Sequence, residues 1–297
     1  MKIVDLESFL SPEWGKTSNG FVTTQFGAAL EFMVQGAQEV TLKFAKKYEG
    51  LSLVLSLNGE NWHEINVENN VLKLSVTDGH YILLVRSIAG NQMTLWTNPI
   101  TLVSGQIDSG ELAPIATNVN YITFIGDSIT AGEEMIEHEP HPELSYPELI
   151  AEILHKPLAR IGYGGSGLTP SAPFQEPTAV EALWHVAPNV ERPRVSSDLV
   201  IVNYGTNDYN YGATVQDFCF GLRVYLLELI KRFHDAKIVL LVPFNGAFKK
   251  VFEQEIKRFD CFVLLDTTPV ENFATTSAFQ YFGDPTRVAK LLLRGLI

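Results

Sequence analysis

Residues 121–132 read Tyr-Ile-Thr-Phe-Ile-Gly-Asp-Ser-Ile-Thr-Ala-Gly. The first five are apolar, β-branched or aromatic, the composition of a short buried strand. The run breaks at Gly126 into Asp127-Ser128, and the residues beyond are able to start a helix. Ser128 therefore places a hydroxyl at the carboxyl end of a strand, facing a helix N-terminus. Open α/β sheets bind their ligands there.

Downstream of this stretch, strands and helices alternate. Strand-like runs occur at 121–125, 157–161, 199–203, 237–242 and 261–265. The clearest helix spans 215–234, where Val215, Phe218, Leu222, Leu226, Leu229 and Phe233 recur at steps of three and four. A last helix over 286–297 carries Val288, Leu291, Leu292 and Leu296 on one stripe. Such alternation implies right-handed crossovers and a mainly parallel sheet between helix layers, a three-layer α/β sandwich.

Upstream the rhythm is different. Between 21 and 103, β-rich runs at 28–34, 40–44, 51–57, 71–76, 81–86 and 93–96 are spaced about ten residues apart. Asn58-Gly59, Asp78-Gly79 and Gly90-Asn91 stand between them as hairpin signals. The reading is an all-β sandwich. Residues 104–120 lose periodicity and gain Gly, Ser and Pro, as a connection does. The expected organisation is a β-sandwich domain over 1–115 and an α/β domain over 119–297.

Bulk properties narrow the function classes. With 46% hydrophobic residues, the 297-residue chain has material for sizeable cores. Its net charge of −12 argues against nucleic acid and anionic membrane surfaces as partners. Cys219 and Cys261 read as buried thiols rather than a disulfide. No cationic start with a long apolar run opens the chain and no membrane-length apolar stretch occurs, so a cytoplasmic location is expected. No His, Cys and carboxylate cluster has metal-ligand spacing, and the glycine-rich loop matches neither nucleotide fingerprint, so no metal and no cofactor is expected.

Three glycine-containing loops each follow a strand. They are Gly126-Asp-Ser-Ile-Thr130, Gly162-Tyr-Gly-Gly-Ser-Gly-Leu168 and Tyr204-Gly-Thr-Asn-Asp208. A parallel sheet brings all three to one edge. In that order they resemble the first three blocks of the SGNH (GDSL-type) hydrolase family. With a β-rich region in front, the layout is similar to the acetyl-esterases of carbohydrate esterase family two. The resemblance implies that Ser128 is a nucleophile attacking a small-molecule or carbohydrate ester. The Ser128 backbone N–H, a glycine N–H of the second loop and the Asn207 side-chain amide are then oxyanion donors. Gly165 fits the second-loop role, with Gly162 and Gly164 as alternatives. Asp127 and Asp208 are expected to fix loop geometry.

The chain departs from the family at the base. The family places Asp-x-x-His before the last helix, where this sequence has Gln280-Tyr-Phe-Gly-Asp-Pro-Thr-Arg-Val288, and no histidine follows His234. In one register Asp284 is the family aspartate and Arg287 stands at the histidine. In the preferred one, Pro285 keeps its place, Asp284 replaces the histidine and Tyr281 the aspartate. Arginine stays protonated and cannot be a base. Asp284 is the candidate, although Asp-Pro-Thr before an apolar stripe also reads as a helix N-cap. His138, His141 and His185 are the substitute histidines to locate.

Overall fold

The computed structural model describes all residues except 91, 116–118, 134, 137, 268–289, 291–293 and 295–297. It divides the chain into two compact units, one of residues 1–118 with 185–194, the other of residues 119–184 with 195–297.

The first unit contains two antiparallel sheets. One has the order Gly15–Thr17, Gly20–Thr23, Ile100–Ile107, Glu39–Phe44, Val71–Ser75, with Lys2–Val4 also paired to Ile100–Ile107. The other runs Glu111–Ala113, Ala29–Gln35, Gly79–Ser87, Ser52–Leu57, His63–Asn66. Alternation aims Leu30, Phe32 and Val34 of one sheet and Val40, Leu42 and Phe44 of the other into a single core. Asn58-Gly59 joins two strands that do pair, Ser52–Leu57 and His63–Asn66, with Asn58 and Gly59 both at positive φ.

Several readings are corrected here. Asp78-Gly79 is not a hairpin turn, because Val71–Ser75 and Gly79–Ser87 lie in different sheets. The run 93–96 is not a strand; Thr94–Thr97 is a turn of helix. The stretch 104–120 is not a bare connection, since Ile100–Ile107 and Glu111–Ala113 are strands that complete the two sheets.

The second unit carries a five-stranded, all-parallel sheet: β1 (Tyr121–Gly126), β2 (Leu158–Gly162), β3 (Ser197–Asn203), β4 (Lys237–Leu241) and β5 (Phe262–Leu265). The order is β2-β1-β3-β4-β5. Among the described residues the strands are followed by α1 (Ser128–Ala131), α2 (Tyr146–Leu154), α3 (Ala179–Trp184), α4 (Thr206–Asn210), α5 (Val215–Arg232) and α6 (Lys249–Glu255). Tyr146, Ile150 and Ala151 of α2 join Ile122, Phe124, Ile201 and Val239 in the core of one sheet face. Right-handed crossovers from β3 to β4 and from β4 to β5 set α5 and α6 on the opposite face. Phe218 of α5 packs edge-on against Phe252 of α6.

Helix α5 buries Phe218, Leu222, Leu226 and Leu229 as its spacing predicts. Val215 departs from the stripe and is exposed, because it is the first helical residue after the Thr214 cap. Both cysteines are free, but Cys219 is only half-buried and Cys261, in the turn before β5, is exposed rather than buried. The predicted helix over 286–297 and the residues Tyr281, Asp284, Pro285 and Arg287 lie outside the described residues.

Candidate functional site

The register of the parallel sheet builds the site. Gly126, the last residue of β1, sits opposite Gly162 of β2 and Asn203 of β3. The three loops therefore leave the sheet on one rung, although Gly126 and Asn203 lie 77 positions apart in the chain.

The first loop turns directly into α1. The Asp127 carboxylate accepts a hydrogen bond from the Ile129 backbone N–H at 3.0 Å and caps the helix. Ser128 is the first helical residue and half-buried. Its backbone oxygen accepts from the N–H groups of Gly132 and Glu133 at 3.0 and 3.1 Å. Its hydroxyl has no hydrogen-bond partner among the described residues.

The second loop returns against the first, with the Tyr163 N–H donating to the Gly126 carbonyl at 3.2 Å. Gly165 has φ +67°, a left-handed conformation that favours glycine. Ser166 folds its hydroxyl onto the Tyr163 carbonyl at 2.6 Å. The third loop locks this one in place. Asp208, on α4, accepts from the backbone N–H groups of Leu168 and Thr169 at 3.0 and 2.8 Å and from the Thr169 hydroxyl at 2.7 Å. Asn207 donates through Nδ2 to the Ser166 carbonyl at 2.9 Å and faces Asp127 Oδ2 at 3.5 Å.

Ser128, Gly165 and Asn207 are thus carried on three loops tied to each other. Sequence reading missed Glu133, whose Oε1 accepts from the Gly164 N–H at 3.2 Å and binds the end of α1 to the second loop. An acid just past the nucleophile helix is a weak signal, because nothing local says which backbone it reaches.

Burial decides the electrostatics. Asp127 is fully buried, and desolvation raises its pKa to about 7, with the Asp208 charge adding to the rise and the Ile129 N–H opposing it. Asp208 is also held above the ordinary carboxylate range by burial, against the pull of its Thr169 and Leu168 donors. Beneath the site, the Thr130 and Tyr146 hydroxyls meet at 2.9 Å. The buried Arg160 of β2 donates to the Ala131 and Pro142 carbonyls and to Glu148 at 2.9 Å.

All seven histidines are described residues, and none hydrogen-bonds the Ser128 hydroxyl. His141 is held through Nδ1 by the buried Glu143 at 2.8 Å. His138 is exposed at positive φ. His185 opens a hairpin (His185–Ala187 with Val190–Glu191) that groups with the β-rich unit. Among the described residues no group of three His, Cys, Asp or Glu is placed to hold a metal ion, and no helix is long and apolar enough to cross a membrane.

Residues 124–268 match the model of the GDSL-like lipase/acylhydrolase family. No curated protein sequence gives a significant match. Solved structures similar to the whole chain include a family two carbohydrate esterase from Cellvibrio japonicus, at 16% identity and TM-score 0.77 over 97% of this chain and 93% of that one. Another is a family two carbohydrate esterase from Clostridium thermocellum in complex with cellohexaose, at 19% identity and TM-score 0.70 over 87% of each chain. A third is the acetyl xylan esterase Est2A from the rumen bacterium Butyrivibrio proteoclasticus, at 15% identity and TM-score 0.71 over 100% of this chain and 99% of that one. At these identities the likeness is one of fold. The α/β unit is accordingly similar to the GDSL-like lipase/acylhydrolase (SGNH) family over residues 124–268, in a chain whose fold and layout resemble those of family two carbohydrate esterases.

Proposed function

We propose that the protein is a serine ester hydrolase that removes a small acyl group, acetyl from a carbohydrate, through an acyl-enzyme on Ser128. The observation that carries this reading is the tie between the three loops: Asn207 donates to the Ser166 carbonyl beside Gly165 while Asp127 holds Ser128 at the head of α1. The similar structures, an acetyl xylan esterase and a family two carbohydrate esterase in complex with cellohexaose, support the substrate class.

In the proposed reaction the Ser128 oxygen bonds to the ester carbonyl carbon as its proton passes to a base. The carbonyl oxygen becomes an oxyanion facing the Ser128 and Gly165 N–H groups and the Asn207 amide. An amide nitrogen carries two hydrogens. One Asn207 hydrogen holds Ser166, and the second, spent only on a long 3.5 Å contact with Asp127 Oδ2, is the one left for the oxyanion. Collapse breaks the bond to the alcohol, which takes the proton from the base. Water then repeats the sequence on the acyl-enzyme and restores Ser128.

Asp284 is the proposed base. An ordinary aspartate, with a pKa near ~3.9, is a poor acceptor at neutral pH, so the role requires burial that raises it. A second reading, a binding protein that keeps the pocket without turnover, is favoured by the partnerless Ser128 hydroxyl among the described residues and by the lack of any histidine beyond His234.

Hydrolysis of a chromogenic acetyl ester by the chain, by Ser128→Ala and by Asp284→His separates the two. The esterase reading expects activity that Ser128→Ala abolishes, and Asn207→Ala should cost ~10²–10³ in rate. An inert chain made active by Asp284→His supports the second reading, with an intact pocket that lacks only its base. Equal inactivity of all three removes the esterase reading.

A further inference from the structure

Helix α5 is apolar on both of its faces. Phe218, Leu222, Tyr225, Leu226 and Leu229 point inward and are buried. With 3.6 residues per turn, Phe220 falls nearly opposite the middle of that set, where a surface helix carries polar residues. Phe220 is nevertheless 69% exposed, and Val224 and Leu227, one and two turns further along the same outward face, are 38% and 50% exposed. Single apolar residues on a surface need no explanation, but a contiguous stripe of three does. Helix α6 lies to one side of the stripe, where Arg223 donates to Glu255 at 2.6 and 2.8 Å.

The charges on this face are arranged about its centre. Asp217, in the first turn of α5, and Lys231, in the last, are both exposed. Each lies seven residues from Val224, close to two turns, one on either side. Arg232, the other cation of the last turn, is stacked over the Trp184 ring at 5.3 Å.

We propose that the outward face of α5 is an interface with a second copy of this chain, the two helices running antiparallel about a two-fold axis at Val224. A two-fold contact brings one patch against itself, so the patch must be complementary to itself. Antiparallel pairing meets that condition. Val224 faces its own counterpart, Phe220 packs beside the partner's Leu227, and Asp217 lies against the partner's Lys231. A shallow crossing of about 20° keeps these ends within reach of each other. Parallel pairing would set like charges together. A partner selected by charge alone would meet one sign, whereas this face carries both at equal distances from its middle. One helix face falls short of the ~800 Å² per partner of a standard stable complex, and the net charge of −12 repels the copies. The dimer is therefore weak and reversible.

The test is sedimentation equilibrium of the full chain at physiological ionic strength, across concentrations up to its solubility. The weight-average mass should rise with concentration from one chain toward two. Phe220→Glu should raise the dissociation constant more than ~10-fold, because two apolar side chains per dimer lose their burial. Asp217→Lys and Lys231→Asp, each alone, set like charges together at both ends and should raise it about fivefold. The double variant restores opposite charges and should return to within about twofold of the unmodified chain. Asp217 also accepts from the Thr214 hydroxyl at 2.7 Å, so dilute thermal melts accompany the series. The double variant carries the same loss at position 217, which separates dimer contact from helix capping. A chain that stays monomeric at every concentration overturns the proposal, as does a dimer that Phe220→Glu leaves intact. A dimer weakened by both single charge variants and not restored by the double variant overturns it too. No arm depends on hydrolysis, so the outcome is independent of the esterase reading.

Discussion

Asp127 is the residue whose chemistry the fold alters most. Buried beside Ser128 and near a second buried carboxylate, it has a pKa of about 7 against an unfolded value of 3.8. The folded state therefore binds its proton more tightly than the unfolded state. The stability this contributes is complete below pH 3.8 and is lost as pH rises through about 7. Asp127→Asn keeps an oxygen for the Ile129 N–H and removes the titration. Its melting temperature should gain on the unmodified chain as pH goes from 5 to 8, read from melts across that range; a constant difference would show that Asp127 does not titrate there. Arg160 gives a second expectation at this scale. Its fully buried guanidinium satisfies two carbonyls and Glu148, so Arg160→Leu should cost about 3 kcal/mol in urea unfolding, and a loss below about 1 kcal/mol would refute that role. That Ser128, Gly165 and Asn207 lie in loops at one edge of the sheet was legible, because each loop is short and follows a recognisable strand. The Glu133–Gly164 and Asp208–Leu168 bonds were not, since they join positions 31 and 40 apart and depend on the sheet register.

Among the elements, α5 shows how packing overrides propensity. Gly221 lies in its interior, where alanine is ordinarily favoured by about 1 kcal/mol. A Cβ there would stand 2.3 Å from the Leu168 carbonyl oxygen, in the loop that Asp208 ties down. Gly221→Ala should consequently destabilise the protein, measured by thermal unfolding, and should disturb the second loop as well. A stabilised variant would show that this close approach does not constrain the helix. The five strands of the α/β unit and α5 were legible to within about two residues, because the strands are short apolar runs and α5 keeps its 3.6 period. The β-rich unit was less so. A turn pair such as Asp78-Gly79 marks a reversal of the chain but not which sheet the next strand enters. Residues 104–113 lack alternation because Gly105 and Gly110 interrupt them, yet their backbones still pair. Leu95 and Trp96 carry strand propensity but sit buried in a single helical turn, where packing decided.

At the scale of the molecule, the two units are not two consecutive segments. Residues 185–194 leave the α/β stretch to join the β-rich unit, where Val186, Ala187 and Val190 pack with Val22 and the Thr24 hydroxyl donates to the Val186 carbonyl at 2.5 Å. Nothing in composition changes at residue 185, so this return is illegible without long-range contacts. One consequence is that no single cut separates the units. A fragment of residues 119–297 would expose Val186, Ala187 and Val190, and it should unfold at lower temperature or self-associate relative to the whole chain, seen by thermal melts and size-exclusion chromatography. A fragment as stable and monodisperse as its share of the parent would refute the dependence.

The shared rung of Gly126, Gly162 and Asn203 also bears on how such a protein tolerates insertions and deletions. Adding a residue to an exposed connection away from the three tied loops lengthens surface chain at small entropic cost. Adding one inside β1, β2 or β3 instead shifts a loop by a whole residue step and turns every later side chain of that strand to the other face. Lengthening such an exposed connection should therefore leave the rung intact, while an insertion within β1, β2 or β3 displaces the loop it carries from the other two.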